Sequence, residues 1–469
     1  MKKTKIICTQ GPATDTPGII EGLIAHGMDC ARFNFSHGDH AGHKKRIDAV
    51  KAAAKASGKI VSLILDTKGP EMRLGLFKGD SVQLVEGNKF TLVNADIEGD
   101  ETQASVTHKN LYAEVKVGGK LLLNDGLVEL RIDSIEGKDI HTTILNSGKM
   151  SSRKRVAAPG ISLGLPAISE QDKRDLLFGI ENDMDFVAAS FIQRAADVEA
   201  IRKLIVDNGG HMEIISKIEN FEGVKNIDEI IAASDGIMVA RGDLGVEIPA
   251  EDVPIIQKDI IKKCNAVGKP VVVATQMLES MTVNPRPTRA EVSDVGNAIL
   301  DGADAIMLSG ETAGGKYPIE ATAMMNQIAL RIEESLEYKE IFLQKGIHHK
   351  HSQTDAIAHA TVQLAYELNA GAIITPTRSG YTTRVVSKYR PKAPIIAFTQ
   401  TARIARHLNL RWGVFPIDGT PWLDIVQMID YSSASSLEKG YVQEGDLVIL
   451  TAGMAYGEGG TGSIRLHTI

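Results

Sequence analysis

Short apolar runs of strand length recur along the first two thirds of the chain and alternate with amphipathic segments of helical period. Two of these segments begin with capping-box patterns, Ser169 with Asp172 and Thr288 with Glu291. Near-continuous apolar strands between helices favour parallel pairing, and eight of them predict a closed (β/α)8 TIM barrel, whose active site lies at the carboxyl ends of the strands. The predicted strands span residues 5–9, 30–36, 60–66, 185–191, 213–219, 236–241, 270–276 and 305–308.

A long insertion separates the third predicted strand from the fourth. Within it, alternating runs such as KFTLVNA and LVELRIDSIEG are divided by glycine and aspartate turns. This pattern predicts an all-β domain over residues 70–164, inserted into a barrel formed by residues 1–69 and 165–340. Because the insertion leaves from the carboxyl end of a strand, we expect it to lie over the barrel mouth as a lid that excludes water.

The alternation of strands and helices restarts after about residue 340. It predicts a third domain, a C-terminal three-layer α/β domain over residues 341–469. The histidine-containing tract 346–351 that precedes it is interpreted as a solvated linker, with a metal-binding tract as the alternative. The predicted strands of this domain span residues 372–375, 395–398, 414–417, 447–451 and 463–469.

Charge and cysteine content narrow the class of function. The 469 residues carry 52 Lys and Arg against 59 Asp and Glu, and no basic run extends beyond residues 152–155, so we expect no nucleic-acid partner. No stretch approaches the roughly 18 apolar residues of a membrane span, and no signal-peptide core is evident, so we expect a cytoplasmic protein without membrane contact. Cys8, Cys30 and Cys264 form no CxxC pair and encode neither a disulfide framework nor a zinc knuckle.

A lysine and a glutamate stand near the end of the fifth predicted strand. Side chains two apart on a strand share a face, so Lys217 and Glu219 point the same way. Asp243 follows the next strand, which places it beside Glu219. Two neighbouring carboxylates form part of an octahedral Mg²⁺ site, whose remaining ligands are waters and substrate oxygens. The alternative for Lys217 and Glu219 is a structural ion pair at the barrel rim.

The second and third predicted strands also end in polar side chains. Arg32, Asn34 and Ser36 share one face by the same alternation, and Asp66 and Thr67 end the neighbouring strand. The four oxygen-bearing side chains of this group either form an all-oxygen cage for a hard cation or merely pair with one another and cap loops.

The predicted barrel mouth therefore combines cations, carboxylates and hydroxyls. Arg32 supplies planar donors suited to phosphate, and the hydroxyl of Thr275 would face the same cavity, although the strand preference of threonine also explains that residue. The chain has no Walker-type loop, dinucleotide fingerprint or Ser-His-Asp triad. This combination predicts metal-assisted phosphoryl transfer. The alternatives are a barrel lyase with Lys217 as a Schiff-base lysine and a phosphometabolite sensor without catalysis.

Six motifs, IISKIENFEGV, VARGDLGVE, DTKGPEMR, ARFNFSHG, ATQMLESM and SGETA, occur within this framework. Together they resemble the pyruvate kinase family, and the resemblance covers essentially the whole chain. It implies a catalytic barrel, a mobile β-barrel lid, a C-terminal regulatory domain and a homotetramer. The implied reaction is phosphoryl transfer from phosphoenolpyruvate to ADP, giving pyruvate and ATP.

The resemblance also implies roles for individual residues. The enolate proton donor stays open between Thr275 and a water chain, and Glu71 resembles the potassium-dependent branch of the family. By the same resemblance, Mg²⁺ or Mn²⁺ is bound by Glu219 and Asp243, the transferring phosphoryl group by Lys217 and Arg32, the substrate carboxylate by Ala240, Gly242, Asp243 and Thr275, the nucleotide by His37, Arg73 and Lys154, and K⁺ by Asn34, Ser36, Asp66 and Thr67.

The segment TPTRSGYTTR of the C-terminal domain lies between a predicted strand and a predicted helix. Backbone N–H groups and hydroxyls at such a helix start form a phosphate nest, and the resemblance implies a phosphorylated allosteric effector there. A polar turn without a ligand is the alternative. The arginine that binds a second phosphate in fructose-1,6-bisphosphate-regulated members is not evident beyond Trp422, so a monophosphate such as AMP is an alternative effector. The implied effector ligands are Thr377, Ser379, Gly380 and Thr382.

Two segments depart from the family pattern. The hinge that usually carries asparagine and leucine is here residues 154–160, KRVAAPG, and Gln10 replaces an aliphatic residue near the start. We expect neither departure to touch the metal or phosphoryl residues.

Overall fold

The computed structural model describes residues 1–161, 163–346, 352–419, 421–422, 424–453 and 461–469, so the tract predicted as a linker lies, apart from residue 346, outside the described residues. The described strands are numbered β1 to β21 in chain order. They are Lys5–Gln10, Cys30–Asn34, Ser62–Asp66, Ser81–Leu84, Lys89–Val93, Gln103–Ser105, Lys120–Leu123, Val128–Glu136, Asp139–Ile144, Gly148–Ser151, Val156–Ala157, Phe186–Ala189, Glu213–Ile218, Gly236–Ala240, Val271–Ala274, Ala305–Leu308, Ala372–Thr377, Ile395–Thr399, Val414–Asp418, Leu447–Gly453 and Thr461–Thr468.

The described helices are numbered in the same way, α1 to α17. Both predicted capping boxes are present, because Ser169 and Thr288 each accept a hydrogen bond from the backbone N–H three residues on. The helices are Ile19–Ala25, His40–Ser57, Leu111–Glu114, Glu170–Glu181, Ala195–Asp207, Phe221–Lys225, Ile227–Ala233, Arg241–Glu247, Val253–Val267, Arg289–Asp301, Gly310–Ala313, Pro318–Glu334, Tyr338–Gly346, Gln353–Glu367, Tyr381–Lys388, Ala402–Leu408 and Ile425–Glu438.

The predicted closed parallel barrel is confirmed, with strand order β1-β16-β15-β14-β13-β12-β3-β2. Its strands are buried on both faces, as expected of a sheet covered by helices. One apolar cluster, including Ile64, Phe186 and Met238, fills the inside of the barrel, and a larger one lies between strands and helices. Five barrel strands end one or two residues earlier than predicted, and the fourth and seventh of the barrel do so where the backbone soon enters the left-handed region, at Phe191 (φ 56°) and Thr275 (φ 70°).

The insertion after β3 contains strands β4 to β11. Six of them form one sheet in the order β11-β7-β8-β9-β5-β6, and β10 pairs with β4 in a two-stranded ribbon. A separate apolar cluster that includes Leu84, Phe90, Leu130 and Ile144 is buried among these strands. The insertion therefore has a core of its own, distinct from that of the barrel.

The C-terminal part is a five-stranded sheet in the order β19-β18-β17-β20-β21, parallel except for β21. Alternate side chains of its central strand enter two different apolar clusters, Ile373 with residues of α14 and α15, and Ile374 with residues of α17. A sheet between two helical layers is the predicted three-layer α/β arrangement.

Ion pairs join the C-terminal sheet domain to the barrel at the amino ends of the barrel strands. Arg406 Nε donates to Asp185 Oδ1 at 2.6 Å, just before β12, and Arg390 Nη2 donates to Asp304 Oδ2 at 2.9 Å, just before β16. The carboxyl ends of the barrel strands are therefore left to the site. No helix in the described residues is long and apolar enough to cross a membrane.

Candidate active site

Lys217 and Glu219 lie together at the carboxyl end of β13, as the alternation predicts. Lys217 Nζ is 2.9 Å from Glu219 Oε1, donates to Asp66 Oδ1 at 3.0 Å and donates to Ser190 Oγ at 2.7 Å. All of these side chains are buried. The ammonium group is therefore held in place at the carboxyl ends of three barrel strands, β3, β12 and β13.

Electrostatics set the protonation states of this cluster. Burial alone would lower the pKa of Lys217, but Asp66 and Glu219 outweigh it and raise the pKa above its usual value. Burial would likewise raise the pKa of Asp66, yet Arg32 and Lys217 bring it below its usual value. Burial raises the pKa of Glu219 to about 7, against the opposing charge of Lys217 and with the repulsion of Asp243 added. The lysine is thus firmly protonated at neutral pH.

Arg32 extends the cluster along β2. Its Nε donates to Asp66 Oδ2 at 2.6 Å, and its Nη1 donates to Thr9 Oγ1 at 2.9 Å. The two predicted phosphoryl-binding cations, Arg32 and Lys217, are therefore joined through the two oxygens of one carboxylate, Asp66. This places both positive charges at the same side of the barrel mouth.

The four residues predicted as a potassium cage lie on adjacent strands. Asn34 and Asp66 are partners in the register of β2 and β3, and Ser36 N donates to Asn34 Oδ1 at 3.0 Å. The hydroxyl of Thr67 accepts a hydrogen bond from Ser190 N at 3.0 Å. Asp66 is buried and Ser36 is exposed. The strand register places Asn34 beside Asp66, and Ser36 and Thr67 follow within two residues, while the Asp66 carboxylate also accepts hydrogen bonds from Arg32 and Lys217.

Thr275 lies at the end of β15 in a strained conformation, because a β-branched residue rarely adopts positive φ. Its hydroxyl accepts from Gly242 N at 2.7 Å and donates to Ala274 O at 2.5 Å. Arg241 Nη2 donates to Thr275 O at 2.8 Å. These contacts fix the hydroxyl beside the backbone of Gly242. The Thr275 hydroxyl therefore lies against the backbone of the segment from Ala240 to Asp243.

Asp243 lies in the first turn of α8, where Arg155 forms an ion pair with its Oδ1. Arg155 Nη2 is also 3.5 Å from Glu247 Oε1, and its guanidinium lies 4.9 Å from the centroid of the Phe191 ring. The expectation that the altered hinge touches no metal residue is therefore wrong. The arginine side chain is long enough to reach from the base of the insertion to the barrel. Residue spacing in the sequence does not reveal this contact.

The carboxylates of Glu219 and Asp243 fit a divalent cation. Glu219 Oε2 accepts from Phe191 N at 2.7 Å, and its buried Oε1 has the Lys217 ammonium at 2.9 Å and no further partner among the described residues. Asp243 is partly exposed and presently balanced by a guanidinium. Within the described residues no group of three or more His, Cys, Asp or Glu is arranged to hold a metal ion. Two carboxylates with an open side suit Mg²⁺ or Mn²⁺, which keep waters and take further oxygens from a substrate.

The predicted nucleotide residues lie around the mouth. Arg73 and Lys154 are on neighbouring segments at the base of the insertion, where Leu74 N donates to Lys154 O at 2.8 Å. Arg73 contacts Glu71 and donates from Nη1 to Arg153 O at 2.8 Å. His37 is exposed in the turn after β2, and among the described contacts none joins it to Arg73 or Lys154.

The predicted effector loop precedes α15. Thr377 and Thr382 are buried, and the Thr377 hydroxyl accepts from Gly380 N at 2.9 Å. The Thr382 hydroxyl shares a hydrogen bond of 2.6 Å with Thr461 Oγ1. Ser379 is partly exposed, and Gly380 has φ +81°, which favours glycine there. The four predicted residues lie in one tight turn at the start of the helix.

Sequence reasoning missed Ser190 and the contact of Arg155. Ser190 follows β12 and could have been found by the rule that polar residues at carboxyl ends of barrel strands reach the site. Arg155 gave a weaker signal, a cation in the hinge segment that departs from the family pattern. Its partner, Asp243, is far away in the sequence.

The arrangement has the components of a phosphoryl-transfer site. Two cations with fixed geometry stand beside a carboxylate pair that can hold a divalent cation, and the buried walls lower the local dielectric. Lys217 is a poor nucleophile because its protonated form is stabilised by two carboxylates. This argues against a Schiff-base lyase at this position.

Comparison with known proteins agrees with this chemistry. The family model described as the pyruvate kinase barrel domain matches residues 1–322, and the one described as the pyruvate kinase alpha/beta domain matches residues 355–467. A pyruvate kinase of Clostridium acetobutylicum is 51% identical over 463 residues, 98% of each chain. A pyruvate kinase of Geobacillus stearothermophilus is 49% identical over 472 residues, covering 100% of this chain and 80% of the relative. A crystal structure of a pyruvate kinase from Cryptosporidium parvum superposes with a TM-score of 0.95 at 39% identity, covering 100% and 96% of the two chains.

Replacing Arg155 tests whether its ion pair with Asp243 competes with a metal ion for the carboxylate. We expect Arg155→Gln to bind Mn²⁺ about fivefold more tightly in the absence of substrate, because an ion pair worth on the order of 1 kcal/mol no longer competes for the carboxylate. Electron paramagnetic resonance of free Mn²⁺ measures this affinity directly. Arg153→Gln removes the same charge from an exposed neighbour and should leave the affinity unchanged. Equal or weaker Mn²⁺ binding in Arg155→Gln would refute the competition.

Proposed function

This chain belongs to the pyruvate kinase family and is a phosphotransferase, and we propose that its barrel mouth moves the phosphoryl group of phosphoenolpyruvate to ADP with the residues described above. The observation that carries these assignments is the buried cluster in which Lys217 lies between Asp66 and Glu219. It provides a fixed positive charge beside a carboxylate pair at the carboxyl ends of neighbouring barrel strands.

In this proposal Glu219 and Asp243 hold Mg²⁺ or Mn²⁺. Support comes from the buried carboxylate of Glu219, which is repelled by Asp243, and from the guanidinium that now balances Asp243. The bound cation supplies charge neutralisation for phosphate and carboxylate oxygens. The two carboxylates lie after adjacent strands β13 and β14, so one ion can reach both.

Arg32 and Lys217 bind the phosphoryl group during transfer. Asp66 holds both side chains from two directions, so their donors are oriented before substrate arrives. The Thr275 hydroxyl is one candidate, beside a water chain, for protonating the enolate carbon.

Loss of the Lys217 ammonium tests the assignment of this residue. We expect Lys217→Met to lower kcat by roughly 100- to 1,000-fold, because the charge that stabilises the migrating phosphoryl group is gone. Mn²⁺ should still bind, since both carboxylates of the proposed metal site remain. A coupled assay of pyruvate formation and Mn²⁺ titration give the two readouts.

The control for this variant is Lys225→Met, an exposed lysine in the short helix that follows β13. It removes the same side chain outside the barrel mouth and should preserve kcat. A Lys217→Met protein that turns over at the normal rate would rule out the proposed role.

We propose that Asn34, Ser36, Asp66 and Thr67 bind K⁺. Their adjacency on β2 and β3 supports a cage of neutral and acidic oxygens. Glu71, which contacts Arg73 beside the mouth, matches the family branch that needs the ion.

Potassium removal tests this site. In a buffer with tetramethylammonium as the only monovalent cation, we expect turnover to fall at least about tenfold, because a positive charge near the phosphoryl group is lost. Glu71→Lys should retain activity without K⁺, since the lysine supplies a fixed cation. Rates of the unaltered protein that do not depend on K⁺ would exclude the cage.

For the nucleotide we propose contacts from His37, Arg73 and Lys154, the last two carried by the lid. The proposed domains are a catalytic barrel of residues 1–69 and 165–340, a lid of residues 70–164 and a regulatory domain of residues 341–469. We also propose a homotetramer acting in the cytoplasm. The three buried free cysteines fit a reducing compartment.

The loop before α15 is proposed to bind a phosphorylated activator through Thr377, Ser379, Gly380 and Thr382. The glycine at positive φ and the hydroxyl-rich turn support an anion nest. Among candidate effectors, fructose-1,6-bisphosphate, sugar monophosphates and AMP share the required phosphate.

An isosteric change at this loop provides the test. We expect Thr382→Val to reduce activation by the effective phosphate at least about tenfold in apparent affinity, because one charge-assisted hydrogen bond is lost while the packing is kept. The measurement is the activity titrated against each candidate phosphate. Activation that is unaffected by the valine would place the effector elsewhere.

A further inference from the structure

A cavity of about 760 Å³ lies at the end of the barrel opposite the active site. Helices α9 and α10 of the barrel form one side, and α13 with the end of α15 forms the other. Its barrel residues come just before β15 and β16, whereas Lys217 and Glu219 stand at strand carboxyl ends. The cavity is also separate from the effector loop, because Lys388 lies at the opposite end of the α15 helix, about 12 Å along its axis.

The lining of this cavity is apolar with a cationic edge. Trp412, Ile299, Leu336 and Ile341 contribute apolar surface. The Arg390 guanidinium lies 4.9 Å from the centroid of the Trp412 ring, so the aromatic surface and a positive charge adjoin. The charged lining residues are Lys262, Lys263, Lys345, Lys388 and Arg390 against Asp259 and Asp301.

Most of these charges are already paired. Lys388 Nζ donates to Asp355 Oδ1 at 3.1 Å, and Lys263 Nζ is 3.0 Å from Asp228 Oδ1. Arg390 pairs with Asp304. Lys262 and Lys345 have no carboxylate of the described residues within ion-pair distance, and of these two only Lys262 is exposed to solvent.

The ammonium group of Lys345 donates a hydrogen bond to a neutral oxygen that also accepts from Arg390. Its Nζ donates to Asn265 Oδ1 at 2.8 Å, and the same oxygen accepts from Arg390 Nε at 3.2 Å and Nη2 at 2.9 Å. An amide oxygen has two lone pairs and no net charge, so it does not balance these donors. Burial lowers the pKa of Lys345 to about 7; repulsion from Arg390 and Lys388 adds to the effect, and attraction by Asp304 opposes it.

Arg390 gives an independent indication of a missing partner. The residue is only 6% exposed, and its Nη1 has no hydrogen-bond partner in the described part of the chain. A buried guanidinium donor without an acceptor is costly. The cavity therefore has two neighbouring cationic groups whose bonding capacity the protein leaves unused.

We propose that this cavity binds a small organic anion, with a phosphate or carboxylate head at Lys345 and Arg390 and a flat apolar body against Trp412 and Ile341. The anion supplies the charge that Asn265 lacks, and the apolar lining receives the body. The anionic head and the apolar body together define the chemical class of the ligand. An inorganic anion would leave the apolar wall of the cavity uncovered, and a neutral aromatic molecule would leave the cations unbalanced.

Tryptophan fluorescence of the full-length protein tests the proposal. The chain has two tryptophans, so Trp422→Phe leaves Trp412 as the single emitter. The probes are 4-nitrophenyl phosphate and 4-nitrobenzoate, nitroaromatic anions that quench tryptophan on close approach, and neutral 4-nitrobenzyl alcohol for comparison. We expect saturable quenching by at least one anion, with an affinity at least about tenfold above that of the alcohol. Equal affinities of all three, or no saturable quenching, would overturn the proposal.

The relative affinities of the two anions distinguish a phosphate site from a carboxylate site. Competition by inorganic phosphate alone, without a contribution from the aromatic body, would reduce the cavity to a simple anion patch and would contradict the proposal as stated.

Variants locate the binding at Lys345. In the same background, Lys345→Met should weaken the anions at least about tenfold and leave the neutral alcohol unchanged. It should also raise the melting temperature without probe, since an uncompensated buried charge is removed, and abolish the rise that the anion produces. Lys339→Met removes an exposed lysine from the same helix and should change neither quantity.

A second variant covers the case in which Lys345→Met does not fold. Ile341→Phe fills part of the cavity without altering its charge and should weaken the anions and the alcohol alike. Unchanged anion binding in Ile341→Phe would place the probes outside the cavity and refute the assignment.

Discussion

The barrel mouth depends on one chain of buried charges, from Arg32 to Asp66, Lys217 and Glu219. Each of these groups alone would cost several kcal/mol to bury, but two cations alternate with two carboxylates and balance them. The chain draws on β2, β3 and β13, so the pairing also fixes three strands relative to each other at their carboxyl ends. A site of this kind is set by the fold before any substrate enters.

Around this centre two residues have backbone conformations that are unfavourable without support from the surrounding packing. Phe191 and Thr275 both have positive φ, and each makes a hydrogen bond that serves the site, Phe191 N to Glu219 and Thr275 Oγ1 with Gly242 N. Such strain costs on the order of 1 to 3 kcal/mol per residue and persists where packing imposes it. Arg155 adds a contact from the inserted domain, which makes the electrostatic balance at Asp243 a property of two domains.

The features that depend on neighbouring residues in the sequence were predicted correctly. Alternation placed Lys217 and Glu219 on one face, apolar runs marked all eight barrel strands, and the capping patterns at Ser169 and Thr288 marked two helix starts. The ends of the fourth and seventh barrel strands were extended too far, because positive φ at Phe191 and Thr275 is imposed by tertiary contacts. The contact of Arg155 with Asp243 was missed because it depends on how the insertion sits on the barrel.

The position of the insertion also has a consequence for folding kinetics. β3 and β12 are hydrogen-bonded neighbours in the barrel, yet the whole inserted domain lies between them in the sequence. A flexible loop of that length costs only about 1.4 kcal/mol more to close than one a fifth as long, since closure entropy grows with the logarithm of length. An insertion that has folded around its own core shortens the effective loop further, because its two ends are then held near each other. The barrel can therefore carry a complete second domain between adjacent strands at small entropic expense, although the pairing itself is delayed by high contact order.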